Sequence, residues 1–224
     1  MTFSIIAYDP ETDVWGIAVA SRISAIGSYV SYAKWGLGLV ASQGLVPNYG
    51  DRILDEVLNP LIQEDHLIVD AFDNFLSEDK YHQHRQIAFI DYNGRIINYN
   101  GDKLVPFAGS VSDDYVSAQG NMLVNKDTII AMLETYLADD DNPDFGDRLL
   151  NALEAGEGAG GDRRVEKPWY SAALLIVKPL KECKNITSHC KTDLRIDQSS
   201  NMTPIQDLRD LYWTQKSETG DITL

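Results

Sequence analysis

The sequence predicts an α+β protein in which two largely antiparallel sheets carry helices on their outer faces. Strands, two helices, strands, two helices and further strands follow one another along the chain. Because strands and helices do not alternate strictly, a doubly wound parallel sheet is disfavoured. The pair Asn93-Gly94 between two apolar runs is typical of a type I′ hairpin turn, which joins antiparallel strands. No repeat or linker interrupts the pattern, so we expect one domain over residues 1–224, with a loose tail from about 214.

The first two strands form a predicted hairpin over residues 3–20. Phe3, Ile5 and Ala7 recur with period two, and apolar residues on the other face make this a core strand. Turn-forming residues at 9–13 separate it from the apolar run 14–20. Ser21 and Arg22 follow the second run directly, as in a turn or at the lip of a site.

The middle of the chain is expected to alternate between strands and helices. Residues 23–33 show no regular pattern, and the glycine-containing run 36–43 predicts a third strand. Helical spacing of apolar residues over 51–62, interrupted at Pro60, and over 65–76 predicts two helices. Further strands are predicted at 85–91, 95–99, 104–108 and 115–124.

The last third of the chain contains the remaining predicted elements. Amphipathic helices are expected at 126–137 and 144–155, each with acidic residues near its start. After a glycine-rich loop at 156–164, the apolar run 170–177 predicts a buried strand. A short edge strand at 193–197 and a helix at 205–213 complete the pattern.

Composition restricts the classes of partner. The chain has 34 acidic and 19 basic residues and a formal net charge of −15, whereas nucleic acids and anionic membranes bind basic surfaces. No apolar run reaches the length of a membrane span, and no secretory signal pattern is present, so we expect a cytoplasmic protein. We expect a small-molecule substrate and a homo-oligomer, a dimer, as the assembly.

Thr2 is the first candidate for chemistry. If Met1 is removed, Thr2 carries a hydroxyl and a free α-amine, which pairs a nucleophile with its own general base. An α-amino group titrates near ~7.7–8.0, so it needs little adjustment for this role. The competing interpretation is that the protein simply begins with a strand, for which threonine is a good residue.

Other residues could assist such a nucleophile or bind its substrate. Lys34 could keep the amine neutral and lower the pKa of the hydroxyl. Asn121, where Gln-Gly-Asn interrupts an apolar run, could stabilise an oxyanion, or the interruption could be a β-bulge. Candidate substrate-binding residues are Arg22, Asn48 of the loop 44–50, and Asp162 and Arg163 of the glycine-rich loop. Asp162 and the arginines beside it could equally hold that loop together by ion pairing.

No cofactor or metal is expected. Gly156-x-Gly158-x-x-Gly161 fits the dinucleotide fingerprint by letter, but a helix precedes it and no strand leads into it. His82-x-His84 lacks partners at metal-ligand spacing, and we interpret it as a surface segment.

Several segments together resemble one family. They are TFSIIAYDPET, GIAVASR, GLGLVASQ followed by NYG, RQIAFID, AQGN, and AGGDRR followed by SAALLIV, and they cover the chain from Thr2 to about Leu211. The chain is similar to a mostly bacterial family of unknown function assigned to the N-terminal-nucleophile (Ntn) hydrolase superfamily. The resemblance implies a four-layer α-β-β-α sandwich and an N-terminal threonine, here Thr2, that cleaves amide bonds through an acyl-enzyme.

The sequence departs from the family at one place and from the proteasome-like branch of the superfamily at another. The second strand there ends in an A-D-S-R pattern, whereas Val19-Ala20-Ser21-Arg22 stands here, so that alanine replaces the aspartate. Residues 165–170, VEKPWY, replace the polar link that usually follows the glycine-rich loop. Lys34 would take the place of the superfamily's lysine. Two hypotheses therefore follow: an amidohydrolase with Thr2 as nucleophile, or a non-catalytic ligand-binding or scaffold protein with Met1 retained.

Overall fold

The computed structural model describes residues 2–44, 46–59, 67–162, 170–179 and 190–219. Within these residues the protein has mixed α+β architecture, with two antiparallel sheets and six α-helices. The strands are β1 (Thr2–Asp9), β2 (Val14–Ser21), β3 (Ser31–Lys34), β4 (Gly38–Gln43), β5 (Gln86–Asp91), β6 (Ile96–Asn100), β7 (Gly109–Asp113), β8 (Val116–Asn121), β9 (Ser171–Lys178) and β10 (Cys190–Ile196). The helices are α1 (Gly27–Val30), α2 (Tyr49–Arg52), α3 (Ile68–Glu78), α4 (Asp127–Ala138), α5 (Phe145–Gly158) and α6 (Pro204–Thr219).

The predicted pair of antiparallel sheets is confirmed. The six-stranded sheet has the order β10-β9-β2-β1-β8-β7, and the four-stranded sheet has the order β3-β4-β5-β6. β1 and β2 form the predicted hairpin, which lies at the centre of the larger sheet. β1 is therefore paired along both edges, and its sequence is apolar on both faces because helices cover one face and the other sheet covers the second.

Three clusters of buried apolar residues form the core. The first joins one face of β1, including Phe3 and Ile5, to α4, α5 and α6. The second joins the four-stranded sheet to α2, α3 and the π-helical segment Ile53–Leu58 that continues α2. The third contains Ile6 and Val19 of the larger sheet with Leu39 and Ile90 of the smaller one. Alternate residues of β1 therefore face either the helices or the other sheet.

Two strand predictions were wrong. β3 lies within residues 23–33 and just beyond them, where no regular pattern was evident; it has only four residues and pairs with β4 alone. The strand expected at 104–108 lies instead at β7, Gly109–Asp113. Residues 105 and 107 do form main-chain hydrogen bonds to Met122 and Leu123, so this apolar segment packs beside the sheet without continuing a strand.

Helices α2 to α6 agree with the predicted positions, with shifted bounds, whereas the four-residue α1 was not predicted. Residues 60–62 of the helix expected at 51–62 lie outside the described part of the chain. α6 continues to Thr219, beyond the predicted end at 213, and residues 220–224 of the expected loose tail lie outside the described part of the chain. Gly156 and Gly158 lie at the end of α5, whereas a dinucleotide fingerprint opens a helix. No helix among the described residues is long and apolar enough to cross a membrane.

Candidate functional site

A row of four polar residues crosses the six-stranded sheet at one end of its central hairpin. Thr2 lies opposite Ser21 on one side and opposite Asn121 on the other, and Ser21 lies opposite Ser171. Their alternate neighbours along the strands, among them Val19 and Ala173, belong to the cluster between the two sheets. The side chains of this polar row (Ser171, Ser21, Thr2 and Asn121) therefore face the space between the sheets.

The hydroxyl of Thr2 is buried and close to that of Ser21. Thr2 is 4% exposed and Ser21 is fully buried, and the Thr2 Oγ1–Ser21 Oγ distance is 3.1 Å. The Ser21 Oγ atom also accepts the main-chain N–H of Ile23 at 3.2 Å. This second bond fixes the position of the serine oxygen, and the serine in turn orients the threonine hydroxyl.

The main-chain hydrogen bonds between β1 and β8 show in which direction the main-chain nitrogen of Thr2 points. Tyr8 N donates to Tyr115 O at 2.8 Å, and the register places these two residues opposite each other. In an antiparallel ladder, every second residue repeats this arrangement. The nitrogen of Thr2 therefore points toward the main-chain carbonyl of Asn121. The Thr2–Ser21 pair is then of the non-hydrogen-bonded kind, whose side chains lie closer together.

Two glutamines of the smaller sheet face the polar row. Gln43, at the end of β4, and Gln86, at the start of β5, lie opposite each other and are almost fully buried. Asn121 Nδ2 donates to Gln43 Oε1 at 2.5 Å and to Gln86 Oε1 at 2.9 Å. Gln43 Nε2 donates to Ser4 Oγ of β1 at 3.0 Å. These amides join the two sheets at the end where Thr2 lies.

Arg22 and Asp162 form an ion pair beside the row. Arg22 N donates to Asp162 Oδ2 at 3.0 Å, and the Arg22 Nε–Asp162 Oδ1 distance is 3.6 Å. The Asp162 side chain is fully buried, and Asp162 also forms a β-bridge with Leu123. The carboxylate therefore ties the glycine-rich loop to the end of β2. Arg163 lies outside the described residues.

Tyr170 covers the Arg22 side of the site. The Arg22 guanidinium lies 4.9 Å from the centre of the Tyr170 ring, and the Tyr170 hydroxyl donates to Glu157. Burial, and then the hydrogen bond and charge of Glu157, raise the pKa of the Tyr170 phenol well above its usual value. Tyr170 is therefore a neutral donor at any physiological pH.

One predicted site residue, Lys34, lies away from the row. Lys34 pairs with Gly38 at the start of β4, whereas Gln43 is at the other end of that strand, about 17 Å away at roughly 3.3 Å per residue. Its Nζ atom lies 3.3 Å from Asp55 Oδ1, and both side chains are more than half exposed. Asn48 is exposed and has φ 59° in the turn that precedes α2. The structure thus brings Thr2, Asn121, Arg22 and Asp162 together and does not bring Lys34 to them.

Sequence reasoning missed the two glutamines and Ser171 as site residues. The available signal was positional: Ser21, Gln43 and Ser171 each stand at one end of a strand that is mostly apolar. A polar residue at the end of a strand does not by itself indicate a functional site. Only the strand registers show that these residues are neighbours.

The hollows described elsewhere on the protein do not adjoin Thr2. A hollow of about 480 Å³ lies at the opposite end of β1, lined by Asp9, Tyr136 and Arg148 among others. The Tyr136 phenol is buried there, and burial raises its pKa to about 12, although the nearby positive charge of Arg148 acts in the opposite direction. In the part of the chain that the structure describes, no group of three or more His, Cys, Asp or Glu residues could hold a metal ion.

The fold and the polar row define a two-sheet α+β protein whose first strand places a threonine at the centre of a buried polar site. The chain belongs to the family of unknown function DUF1028, whose model matches residues 2–208. It is similar to the protein SPO2555 from Silicibacter pomeroyi, a member of the same family known from a crystal structure. The two are 33% identical, with a TM-score of 0.79 over 96% of this chain and 86% of that one. No curated protein matches.

Proposed function

We propose that the protein is an N-terminal-nucleophile amide hydrolase in which Thr2 is the nucleophile. The observation that carries the proposal is the position of Thr2. It begins the central strand, its hydroxyl is held 3.1 Å from Ser21 Oγ, and its nitrogen points toward Asn121. Amides of the smaller sheet converge beside it, on Asn121 and on Ser4.

The arrangement of the core supports the superfamily assignment. One cluster joins helices to the six-stranded sheet, one lies between the sheets, and one joins the smaller sheet to its own helices. This is the layering of the four-layer α-β-β-α sandwich that the sequence resemblance implies. Thr2 stands at the start of β1, one of the two central strands of the six-stranded sheet.

The proposed reaction requires the removal of Met1, which frees the α-amine of Thr2. Thr2 Oγ1 attacks the carbonyl carbon of an amide, and the α-amine accepts the hydroxyl proton. Collapse of the tetrahedral intermediate breaks the C–N bond, and the ammonium returns the proton to the leaving nitrogen. Water then attacks the ester on Thr2 with the amine again as base, which releases a carboxylic acid and regenerates the threonine.

Neighbouring residues have distinct parts in this proposal. Ser21 orients the Thr2 hydroxyl, and the Asn121 main-chain carbonyl holds the amine. Ala20 belongs to the cluster on the helix side of the sheet, so a side chain at position 20 does not face Thr2. The residue of β2 that lies beside Thr2 is Ser21. Lys34 has no part, because it is bound to Asp55 at the far end of β4.

Arg22 has limited capacity to bind an anionic substrate. Its guanidinium already lies against the buried Asp162 carboxylate, so the pair carries no net charge. Contact of Arg163 with a substrate anion stays a prediction, as does the small size of the substrate.

The experiment begins with the intact mass of the protein purified from its own host. A mass lacking one methionine is expected. p-Nitrophenyl acetate and p-nitroacetanilide are then offered to the wild-type protein and to the variants Thr2→Ala and Thr2→Ser. We expect acetylation and turnover with Thr2, reduced turnover with serine and none with alanine. Retention of Met1 would leave a non-catalytic ligand-binding or scaffold protein as the remaining hypothesis. Equal turnover by the alanine variant would reject Thr2 as the nucleophile.

A further inference from the structure

We infer that the side chain of Asn121 acts in the site as a hydrogen-bond acceptor, so that its oxygen receives an N–H group of the substrate. This inference rests on the proposed hydrolase for its substrate, but not for the orientation of the amide. It replaces the role of oxyanion donor that the sequence suggests for this side chain.

The argument starts at Gln86, whose orientation is fixed by main-chain carbonyls. Gln86 Nε2 donates to Gly120 O at 2.8 Å and to Gly109 O at 3.0 Å. A carbonyl oxygen can only accept, so exchanging the nitrogen and oxygen of Gln86 would place its oxygen against two other acceptors. Gln86 is fully buried, where such repulsion has no water to relieve it. The Oε1 atom of Gln86 must therefore face Asn121.

The orientation of Asn121 follows from that of Gln86. Because Gln86 presents an oxygen, Asn121 must present its Nδ2 atom, which donates to Gln86 Oε1 at 2.9 Å. The same nitrogen donates to Gln43 Oε1 at 2.5 Å. An amide nitrogen has two hydrogens, and both are thus occupied. The side chain of Asn121 has no N–H left for an oxyanion, and its Oδ1 atom remains as an acceptor.

The position of Asn121 gives this acceptor a partner. Asn121 is directly opposite Thr2, and it is only partly buried, whereas both glutamines are almost fully buried. An amide bound for attack by Thr2 carries its N–H on the side away from its carbonyl oxygen. An acceptor that holds this N–H orients the leaving nitrogen toward the Thr2 amine, which must protonate it. Main-chain N–H groups, and not the Asn121 side chain, then donate the hydrogen bonds that stabilise the oxyanion.

Gln86 has the part of a positioning residue. Gln86 does not contact the substrate. It determines whether the oxygen or the nitrogen of the Asn121 amide faces the substrate.

The orientation is tested by the substitution Asn121→Asp and does not require activity. A carboxylate cannot donate to the two glutamine oxygens, so the carboxyl must be protonated to fit. The midpoint of thermal unfolding of the variant should lie below that of the wild type at pH 6.5, and the gap should narrow as the pH falls to 4. Both proteins are prepared with Met1 retained, so that the nitrogen of Thr2 is an uncharged peptide group opposite this position; the facing groups of β4 and β5 are neutral amides.

The opposite result would overturn the inference. If the glutamines present N–H groups, they stabilise the carboxylate, and the gap narrows as the pH rises. Should the variant fail to fold, hydrogen exchange of the wild-type side-chain amide replaces it. Two bonded N–H groups exchange slowly, whereas an Nδ2 atom that faces the open end of the site exchanges at the rate of an exposed asparagine.

The substrate N–H is tested with Asn121→Ala, using Asn98→Ala on β6 as the matched control. Asn98 accepts from Ser117 and lies away from the row. We expect Asn121→Ala to lower kcat/KM at least tenfold more for p-nitroacetanilide, which has an N–H, than for p-nitrophenyl acetate, which has none. Equal losses on the two compounds would show an oxyanion donor and reject the inference. Absence of Thr2-dependent turnover of either compound would reject the hydrolase and its substrate, while the unfolding measurement still decides the orientation of Asn121.

Discussion

The hydroxyl oxygens of Thr2 and Ser21 lie 3.1 Å apart, buried between the ends of β1 and β2. The pair is of the non-hydrogen-bonded kind in the ladder, so its side chains approach closely without any distortion of the strands. Ser21 Oγ also accepts from Ile23 N, which fixes the position of the oxygen that the Thr2 hydroxyl contacts. Ser21 is therefore the residue through which the hairpin controls the proposed nucleophile.

The substitution Ser21→Ala should weaken this control. We expect turnover to fall by about tenfold to a hundredfold, because the Thr2 hydroxyl loses its orienting partner. Unfolding free energy should fall by about 1 kcal/mol, the usual contribution of one hydrogen bond. Ser171→Ala is the matched control: it removes a hydroxyl that bonds to Ile23 and Ile26 and does not touch Thr2. A larger loss of turnover in the control than in Ser21→Ala would contradict the assignment.

The Arg22–Asp162 pair should contribute strongly to stability. Replacing Asp162 with alanine leaves the Arg22 N–H and guanidinium without the carboxylate that they contact. The Asp162 side chain is fully buried and that of Arg22 is 14% exposed, so we expect a loss of about 2–4 kcal/mol in denaturant unfolding. A loss below that of an ordinary surface substitution would mean that the glycine-rich loop is held by other contacts.

The substitution Lys34→Ala should change stability far less than the loss of Asp162. The Lys34–Asp55 pair is exposed, and such pairs contribute about 0–1 kcal/mol. We expect a change in unfolding free energy within that range and no change in turnover, since the amine lies far along β4 from Thr2. Loss of turnover in this variant, with the fold intact, would show that Lys34 takes part in catalysis.

Asp144 should make stability depend on acid. It is the N-cap of α5, accepts from Asp147 N at 2.8 Å and Tyr212 Oη at 2.7 Å, and pairs with Lys216 of α6. Burial alone would raise the pKa of its carboxyl, but the hydrogen bonds from Lys216, Tyr212 and Asp147 hold that pKa below its usual value. The folded state thus favours the ionised carboxyl, and this stabilisation is present above the unfolded pKa of about 3.9 and lost as the pH falls through the lower folded value.

The measurement compares the wild type with Asp144→Asn, which keeps a capping side chain but loses the charge. The difference in unfolding free energy between the two proteins should have its largest value at pH 6. It should decrease from about pH 4 downward, because the wild-type carboxyl becomes protonated. A difference that stays constant between pH 6 and pH 3 would mean that the ion pair with Lys216 contributes nothing.

Local pattern was sufficient for most elements of the fold. The apolar runs of β1, β2, β5 and β9 and the amphipathic α4 and α5 follow from period alone, because each buries a continuous face. β3 has four residues and half-buried positions, too few for any period to emerge. For β7, the apolar residues at 104–108 pack beside the sheet, while the strand itself is the more polar segment that follows them.

The sequence by itself determined that Thr2 heads a core strand, that two antiparallel sheets form, and that Thr2, Asn121, Arg22 and Asp162 deserve scrutiny. Only the tertiary structure decided which of these residues meet. Strand registers bring Ser21 and Asn121 to either side of Thr2, although 119 residues of sequence separate Thr2 from Asn121 (121 − 2). The packing of one sheet on the other adds Gln86, whose carbonyl partners set the polarity of Asn121. The direction of a hydrogen bond depends on what surrounds both partners, and no spacing along a chain contains that information.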